Sequence, residues 1–218
     1  MRAVLWDLDD TVLDTLEPRM EALAHAHRSV VGHDTDALAL WRRYRGATIE
    51  AIGRDLAGED YPRFVETFRE HYFGREVPVP VFEGVATVLR DIVASGRSNA
   101  IVTAKVSWGA IGELQRAGLL EYFAAVVGFD DTDLHKPDPE PVLTALQRLT
   151  LDDPAEAMMI GDTPADIGAA QAAGCLSVAA LWGSVDREAV LAMEPDHIAE
   201  TPFDIAAIIG TEPLEAAL

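Results

Sequence analysis

The chain has 218 residues, 49% of them hydrophobic, and its 37 acidic residues outnumber its 17 lysines and arginines, which gives a net charge of −20. This length is enough for one α/β domain with an insertion, and the apolar content is enough for a substantial core. Because so negative a surface repels phosphate backbones and anionic lipid headgroups, the charge argues against a protein that binds nucleic acid or a membrane surface.

The sequence predicts neither a membrane span nor a secretory signal. No apolar run approaches the roughly 20 residues that a spanning helix needs, and Asp7 interrupts the first apolar run too early for a signal peptide. We therefore expect a cytoplasmic protein. Its one cysteine, Cys175, excludes an intramolecular disulfide, and we expect it to be a small buried apolar residue.

The first predicted element is a short strand, residues 3–6, that ends in the acids Asp7, Asp9 and Asp10. Four consecutive apolar residues predict a strand covered on both faces, as in a parallel sheet. Strand periodicity puts Asp7 and Asp9 on the same side, and like charges so close need a cation or a proton. The pattern indicates a divalent-metal site with a carboxylate left for chemistry. An acidic turn is the purely structural alternative.

Residues 15–81 contain no convincing strand and predict an all-helical insertion of about four helices. Two helical stripes of apolar residues support it: Leu16, Met20, Leu23, His27 and Val30, then Tyr61, Phe64, Val65, Phe68 and Tyr72. The Pro-rich segment 77–81 predicts a semi-rigid linker. We therefore expect a helical cap domain at 15–81 and an α/β core domain made of 1–14 and 82–218.

Further apolar runs at 100–102, 124–127, 157–160 and 178–181 alternate with helical patterns. This alternation is typical of βαβ units, so the predicted fold class is α/β, a doubly wound, Rossmann-like parallel sheet with the helical bundle inserted.

Polar residues follow the predicted strands. They are Asp7 and Asp9, then Thr103, Ala104 and Lys105, then Asp130 and Asp131 with Lys136 nearby, then Asp162 and Asp166. Because ligands bind at the carboxyl ends of the strands in open α/β folds, we expect these residues to converge. Carboxylates can act as nucleophile, as acid or base and as Mg²⁺ ligands, while a hydroxyl and an ammonium can hold phosphoryl oxygens. The set predicts phosphoryl transfer.

Each member also has a structural alternative. Asp162 and Asp166 flank Pro164, which is typical of a helix start, and Thr103 could be a helix N-cap. Lys136 could be a solvated lysine before a Pro-rich turn. Their occurrence together at successive strand ends favours the functional interpretation.

In this order and spacing the chain resembles the haloacid dehalogenase superfamily, in the branch with a helical cap after the first strand. The resemblance spans 4–209 and rests on Asp7-Leu8-Asp9-Asp10-Thr11-Val12, Thr103, Lys136-Pro137, the run from Gly161-Asp162 to Asp166, and Trp182-Gly183. One departure is Asp10, where many members have glycine.

The resemblance implies a role for each matching residue. Asp7 would be the nucleophile and a metal ligand, and Asp9 the general acid and base, with its backbone carbonyl on the metal. Thr103, Ala104 and Lys136 would bind the phosphoryl group. Asp162 would hold Mg²⁺, and Asp166 would orient the site.

An acid at position 9 favours phosphate esters over dehalogenation within that superfamily. The resemblance therefore implies an Mg²⁺-dependent phosphatase acting through an aspartyl phosphate on a small phosphorylated metabolite, such as phosphoglycolate, a sugar phosphate or a nucleotide. Arg45 and Thr48 are the cap candidates for substrate contact. The alternatives are a phosphosugar mutase of the β-phosphoglucomutase type, although Ile49 stands where a basic residue is expected, and a catalytically idle binding protein. The sequence allows both a monomer and a homodimer as the oligomeric state.

Overall fold

The computed structural model describes residues 1–44 and 47–210, and the chain divides into two compact units. One unit comprises Met1–Asp14 and Pro80–Leu218, and the other is Thr15–Val79. The first unit holds the sheet, and the described residues of the second hold four α-helices with a short π-helical and a short 3-10 segment.

The strands are β1 (Ala3–Trp6), β2 (Ser98–Val102), β3 (Phe123–Val127), β4 (Ala157–Gly161), β5 (Leu176–Ala180) and β6 (His197–Ala199). They form a single parallel sheet in the order β3-β2-β1-β4-β5-β6. The predicted fold class is confirmed. The apolar runs of the sequence did not predict β6, because this three-residue edge strand has no apolar run and its Ile198 is 52% exposed.

The helices are α1 (Leu16–Ala26), α2 (Ala37–Arg43), α3 (Ile49–Ala57), α4 (Tyr61–Phe73), α5 (Val85–Ala94), α6 (Ser107–Arg116), α7 (Glu140–Arg148), α8 (Pro164–Ala173), α9 (Arg187–Leu191) and α10 (Asp204–Ile209). Helices α5 and α7 pack on β2, and α8 packs on β4 and β5. Not every apolar residue of α5 and α7 faces the core, since Val93 and Leu143 are exposed. None of the helices in the described residues is both long and apolar enough to cross a bilayer.

The strand register brings the carboxyl ends of β1, β2 and β4 to one edge of the sheet. Trp6 at the end of β1 pairs with Ile101 of β2 and with Ile160 of β4. Buried side chains lock this register: the Trp6 indole Nε1 donates to Asn99 Oδ1 at 3.0 Å, and Asn99 Nδ2 donates to the carbonyl oxygens of Leu89 and Tyr122. The residues that follow β1, β2 and β4 therefore meet at the carboxyl edge.

The regular secondary structure of the second unit, in its described residues, consists of helices alone. Its small apolar core contains the buried Leu23, Ile52 and Phe64, with Ile49 packed beside them. His27 is buried after α1, and its Nδ1 lies 2.9 Å from the carbonyl oxygen of His33. In the first unit, Cys175 is the small buried residue predicted, and burial raises the pKa of its thiol to about 12.

Candidate active site

Asp7 lies at the end of β1 and is only 6% exposed. Its backbone N–H donates to the carbonyl oxygen of Ile160 at 2.8 Å, which extends the β1–β4 pairing by one residue. Its side-chain Oδ1 accepts a 2.6 Å hydrogen bond from Lys136 Nζ. A rigid strand end thus fixes the carboxylate of Asp7 beside a cation.

Asp166 lies in the first turn of α8, as predicted. Thr163 is the N-cap, and the two residues form a capping box in which Asp166 Oδ2 accepts from the Thr163 N–H at 3.0 Å and from its Oγ1 at 2.6 Å. Gly161 makes room for this arrangement, because a Cβ there would lie 2.3 Å from the Asp166 Cβ. The helix start of the structural alternative therefore exists, and it also serves to place Asp166 next to β1.

Lys136 is buried, with 8% of its side chain exposed, so it is not a solvated lysine. Its Nζ donates to Asp7 Oδ1, to Asp166 Oδ1 at 2.6 Å and to the carbonyl oxygen of Val102 at 2.9 Å. Burial by itself lowers the pKa of Lys136, but the charges of Asp166 and Asp7 outweigh it and raise the pKa above its ordinary value. The ammonium therefore stays charged.

Three buried carboxylates converge here: an oxygen from each of Asp7, Asp162 and Asp166 lies within 4.8 Å of the others. Burial raises the pKa of Asp7 to about 7, with Asp166 and Asp9 adding to the rise and Lys136 opposing it. Burial and the charge of Asp7 also raise the pKa of Asp162. Without a further cation, the site therefore favours the protonated forms of Asp7 and Asp162 more than water does.

This donor set fits a hard divalent cation, which prefers carboxylate oxygens. Both oxygens of Asp166 already accept hydrogen bonds, from Lys136 and from Thr163. Asp7 and Asp162 are therefore the better candidates for direct ligands, and Asp166 is suited to orienting Lys136.

The turn after β1 joins Asp7 to Asp162. Thr11 Oγ1 donates to Asp162 Oδ1 at 2.9 Å, and Trp182 Nε1 donates to the Thr11 carbonyl oxygen at 2.9 Å. Asp10 has a φ of 60°, in the left-handed region that glycine and, among other residues, Asp and Asn adopt most readily. The departure from glycine at position 10 therefore keeps the backbone conformation.

Thr103 follows β2, and its N–H donates to the carbonyl oxygen of Val127 at 2.9 Å. Its Oγ1 accepts from the N–H of Lys105 at 3.1 Å. It is not a helix N-cap, because α6 begins at Ser107 with Val106 at the N-cap position. Ala104 lies in the exposed turn between Thr103 and Lys105.

Asp9 makes a contact that the sequence did not predict. Lys105 Nζ donates to Asp9 Oδ1 at 2.8 Å and also to Glu113 Oε2 of α6. One signal was available, since Lys105 and Lys136 are the chain's two lysines among 15 arginines, and both occur at this site.

Three other predicted residues make loop or capping contacts. Asp130 accepts from the Ser107 N–H at 2.7 Å, and Asp131 accepts from Arg148 at 2.6 Å, so both hold the loops around α6 and α7. In the second unit, Thr48 caps α3 by accepting from the Ala51 N–H at 3.2 Å. Arg45 lies outside the described residues.

Comparisons with known proteins show the family of this chain. Residues 4–180 match the model of the haloacid dehalogenase-like hydrolases. The chain is 30% identical to a phosphoglycolate phosphatase of Salmonella paratyphi A over 96% of this chain and 93% of the relative, and 30% identical to the pyrophosphatase PpaX of Bacillus pumilus over 97% and 98%.

Solved structures show the same fold at lower identity. A predicted phosphoglycolate phosphatase from Haemophilus somnus superposes with a TM-score of 0.88 at 22% identity, covering 96% of this chain and 98% of that one. A β-phosphoglucomutase from Clostridium difficile superposes with a TM-score of 0.80 at 20% identity, covering 94% and 93%.

Proposed function

This chain belongs to the haloacid dehalogenase-like hydrolase family, and from that premise we propose that it is an Mg²⁺-dependent phosphatase that hydrolyses a small phosphate monoester through an aspartyl-phosphate intermediate. One observation carries the proposal. The buried Asp7 carboxylate pairs with Lys136 and lies beside Asp162, while a second acid, Asp9, follows two residues later.

In the first step an oxygen of the Asp7 carboxylate forms a bond to phosphorus, and the bond between phosphorus and the ester oxygen breaks. The electron pair of that bond stays on the leaving oxygen, which takes a proton from Asp9 and departs as an alcohol. In the second step a water oxygen attacks phosphorus and gives a proton to Asp9. The bond from phosphorus to Asp7 breaks, and its electron pair restores the carboxylate.

Lys136 and Thr103 bind the phosphoryl oxygens as charge redistributes among them. Lys136 also balances Asp7 and Asp166, which allows the nucleophile to be ionised. The backbone around Ala104 can offer an N–H to the same phosphoryl group.

Asp7 and Asp162 would hold the metal with the backbone carbonyl of Asp9, and Asp166 would keep Lys136 in place. When bound, Mg²⁺ supplies positive charge that offsets the carboxylates and the phosphoryl oxygens. The buried acids whose pKa values are raised without a cation support this assignment.

A small phosphorylated metabolite is the proposed substrate. Relatives named phosphoglycolate phosphatase and pyrophosphatase PpaX support the phosphate class, and they place a phosphomonoester and pyrophosphate among the compounds to test. Arg45 and Thr48 remain the cap candidates for substrate contact.

Two alternatives have less support. A mutase needs a base near position 49, whereas Ile49 begins α3 and packs against the apolar core of its unit. The likeness to a β-phosphoglucomutase, at 20% identity, concerns the fold alone. An idle binding protein would be expected to lack one of the acids, yet Asp7, Asp9 and Asp162 are all present.

Hydrolysis of 4-nitrophenyl phosphate by the purified protein, with EDTA and then with added Mg²⁺, tests the metal-dependent activity. We expect EDTA to abolish turnover and Mg²⁺ to restore it. Activity unaffected by chelation would refute the metal role. A panel of phosphoglycolate, pyrophosphate, sugar phosphates and nucleoside monophosphates, read by phosphate release, then identifies the substrate class. Isomerisation of a hexose phosphate without phosphate release would favour the mutase.

A further inference from the structure

A second buried ion cluster lies next to the proposed catalytic residues. It consists of Asp9, Lys105 and Glu113, whose side chains are 16%, 9% and 6% exposed. The ammonium of Lys105 lies between the two carboxylates and donates to both. The loop after β1, the loop after β2 and helix α6 are thereby joined through one nitrogen atom.

Glu113 is an unusual residue for its position on α6. Its neighbours on the buried face of the helix, Ala110 and Leu114, are apolar. A buried carboxylate costs desolvation energy that an apolar residue of similar size would not, so stability alone does not account for a glutamate here. The contact with Lys105 accounts for the glutamate, because the Glu113 carboxylate holds the Lys105 ammonium from the side of α6.

Lys105 is also tied to the proposed phosphate-binding hydroxyl. Its backbone N–H donates to Thr103 Oγ1 while its side chain reaches Asp9 Oδ1. One residue therefore sets the distance between a phosphoryl-binding group and the acid. Hydrogen bonds that lock the rotamer of a functional side chain keep it within the narrow range of productive geometries.

We infer that Lys105 is a positioning residue that fixes the Asp9 carboxylate for proton transfer, and that Glu113 fixes Lys105. This inference rests on the proposed function, because Asp9 must protonate the leaving oxygen in the first step and accept a proton from water in the second. An ammonium held on Oδ1 restricts rotation of the carboxylate about its Cβ–Cγ bond in both steps.

The test uses Lys105→Met, Lys105→Arg, Glu113→Gln and the double variant Lys105→Met with Glu113→Gln. The matched control is Arg148→Met, which removes another cation of the same unit that bonds a carboxylate and a carbonyl oxygen outside the cluster. For each protein, kcat/KM is measured on a series of aryl phosphates whose phenols rise in pKa. Thermal unfolding is measured in parallel.

Loss of a correctly placed acid harms poor leaving groups most, since good ones depart without a proton. We expect Lys105→Met to lower kcat/KM about 100-fold for the least activated ester and less than about fivefold for the most activated one, which steepens the dependence on leaving-group pKa. Lys105→Arg restores part of the slope, Glu113→Gln gives an intermediate slope, and Arg148→Met leaves it parallel to wild type. Should Lys105→Met fail to fold, the double variant removes both charges together and is expected to show the steeper slope.

Pre-steady-state kinetics on the most activated ester give a second readout. When Asp9 no longer orients the attacking water, the aspartyl phosphate accumulates, so we expect a burst of phenol release in Lys105→Met. Parallel slopes without a burst in the folded variants would overturn the inference and leave the proposed function standing. If the wild-type protein hydrolyses none of the esters, the proposed function fails, and the inference fails with it.

Discussion

Replacing Gly183 by alanine would strike the turn that follows the proposed nucleophile. A Cβ at position 183 would lie 1.6 Å from the carbonyl oxygen of Asp10 and 2.7 Å from its carbonyl carbon. Because these are backbone atoms, no change of side-chain rotamer relieves the overlap. The loop of Gly183 and the turn of Asp10 must move apart.

The size of that movement follows from the contact distance. Real Cβ atoms essentially never approach other atoms within 3.0 Å, so the two segments must separate by about 1.4 Å. Asp10 directly follows Asp9, and a misplacement of about 1 Å at a catalytic group costs on the order of 100-fold in rate. Forcing an extra methyl group into a packed site costs about 1–3 kcal/mol of unfolding free energy. We expect both losses.

Hydrolysis of 4-nitrophenyl phosphate measures the first loss, and urea denaturation measures the second. The matched control is Gly112→Ala in α6, where an added Cβ meets nothing within 4 Å. That exchange is expected to leave activity unchanged and to raise the unfolding free energy by about 0.5–1 kcal/mol, because alanine is the better helix former. A Gly183→Ala protein with the wild-type rate and wild-type stability would refute the steric reasoning.

Three further outcomes are expected. Asp7→Asn should lower 4-nitrophenyl phosphate hydrolysis more than about 1,000-fold while the protein stays folded, since an amide cannot form the intermediate; a rate near wild type contradicts the nucleophile. Burial raises the pKa of Asp7 from 3.8 to about 7. Between these two pH values the folded metal-free protein keeps a proton that the unfolded chain has released, so its unfolding free energy falls as pH rises. The gain in melting temperature on adding Mg²⁺ should therefore grow between pH 5 and pH 8, as thermal scans can check, and a constant gain argues against the site. Asn99→Leu leaves the Trp6 N–H and two carbonyl oxygens buried without this partner, and it should cost on the order of 3 kcal/mol in urea denaturation.

The sheet and the carboxylate cluster could be predicted because both leave strong local signals. Buried parallel strands are short apolar runs, and Asp7 and Asp162 stand directly at or just past the ends of two of them. The same logic failed for β6, which lies at the sheet edge and is largely polar or exposed. Val93 and Leu143 are apolar yet exposed, since a helix that contacts the sheet along one narrow stripe leaves neighbouring apolar residues in solvent.

Polar contacts between distant segments were beyond prediction. Glu113 and Asn99 lie in a helix and a strand whose patterns gave no reason to pair them with Lys105 and Trp6. Periodicity reports which face of an element is buried, but it does not identify the partner that satisfies a buried polar group. For Thr103, by contrast, the three-dimensional structure excludes the role of helix N-cap that the sequence allowed, because Val106 holds that position in α6.

The placement of both lysines at the carboxyl edge of the sheet makes amine acylation a probe of that edge. The primary amines of the chain are the amino terminus and the side chains of Lys105 and Lys136, whose exposed fractions are below one tenth. Arginine, which these reagents spare, supplies every remaining fixed positive charge. Mild acetylation followed by peptide mass spectrometry should therefore modify the amino terminus and spare both lysines of the folded protein, so that acetylation of Lys105 or Lys136 reports that the ion pairs of the site have opened.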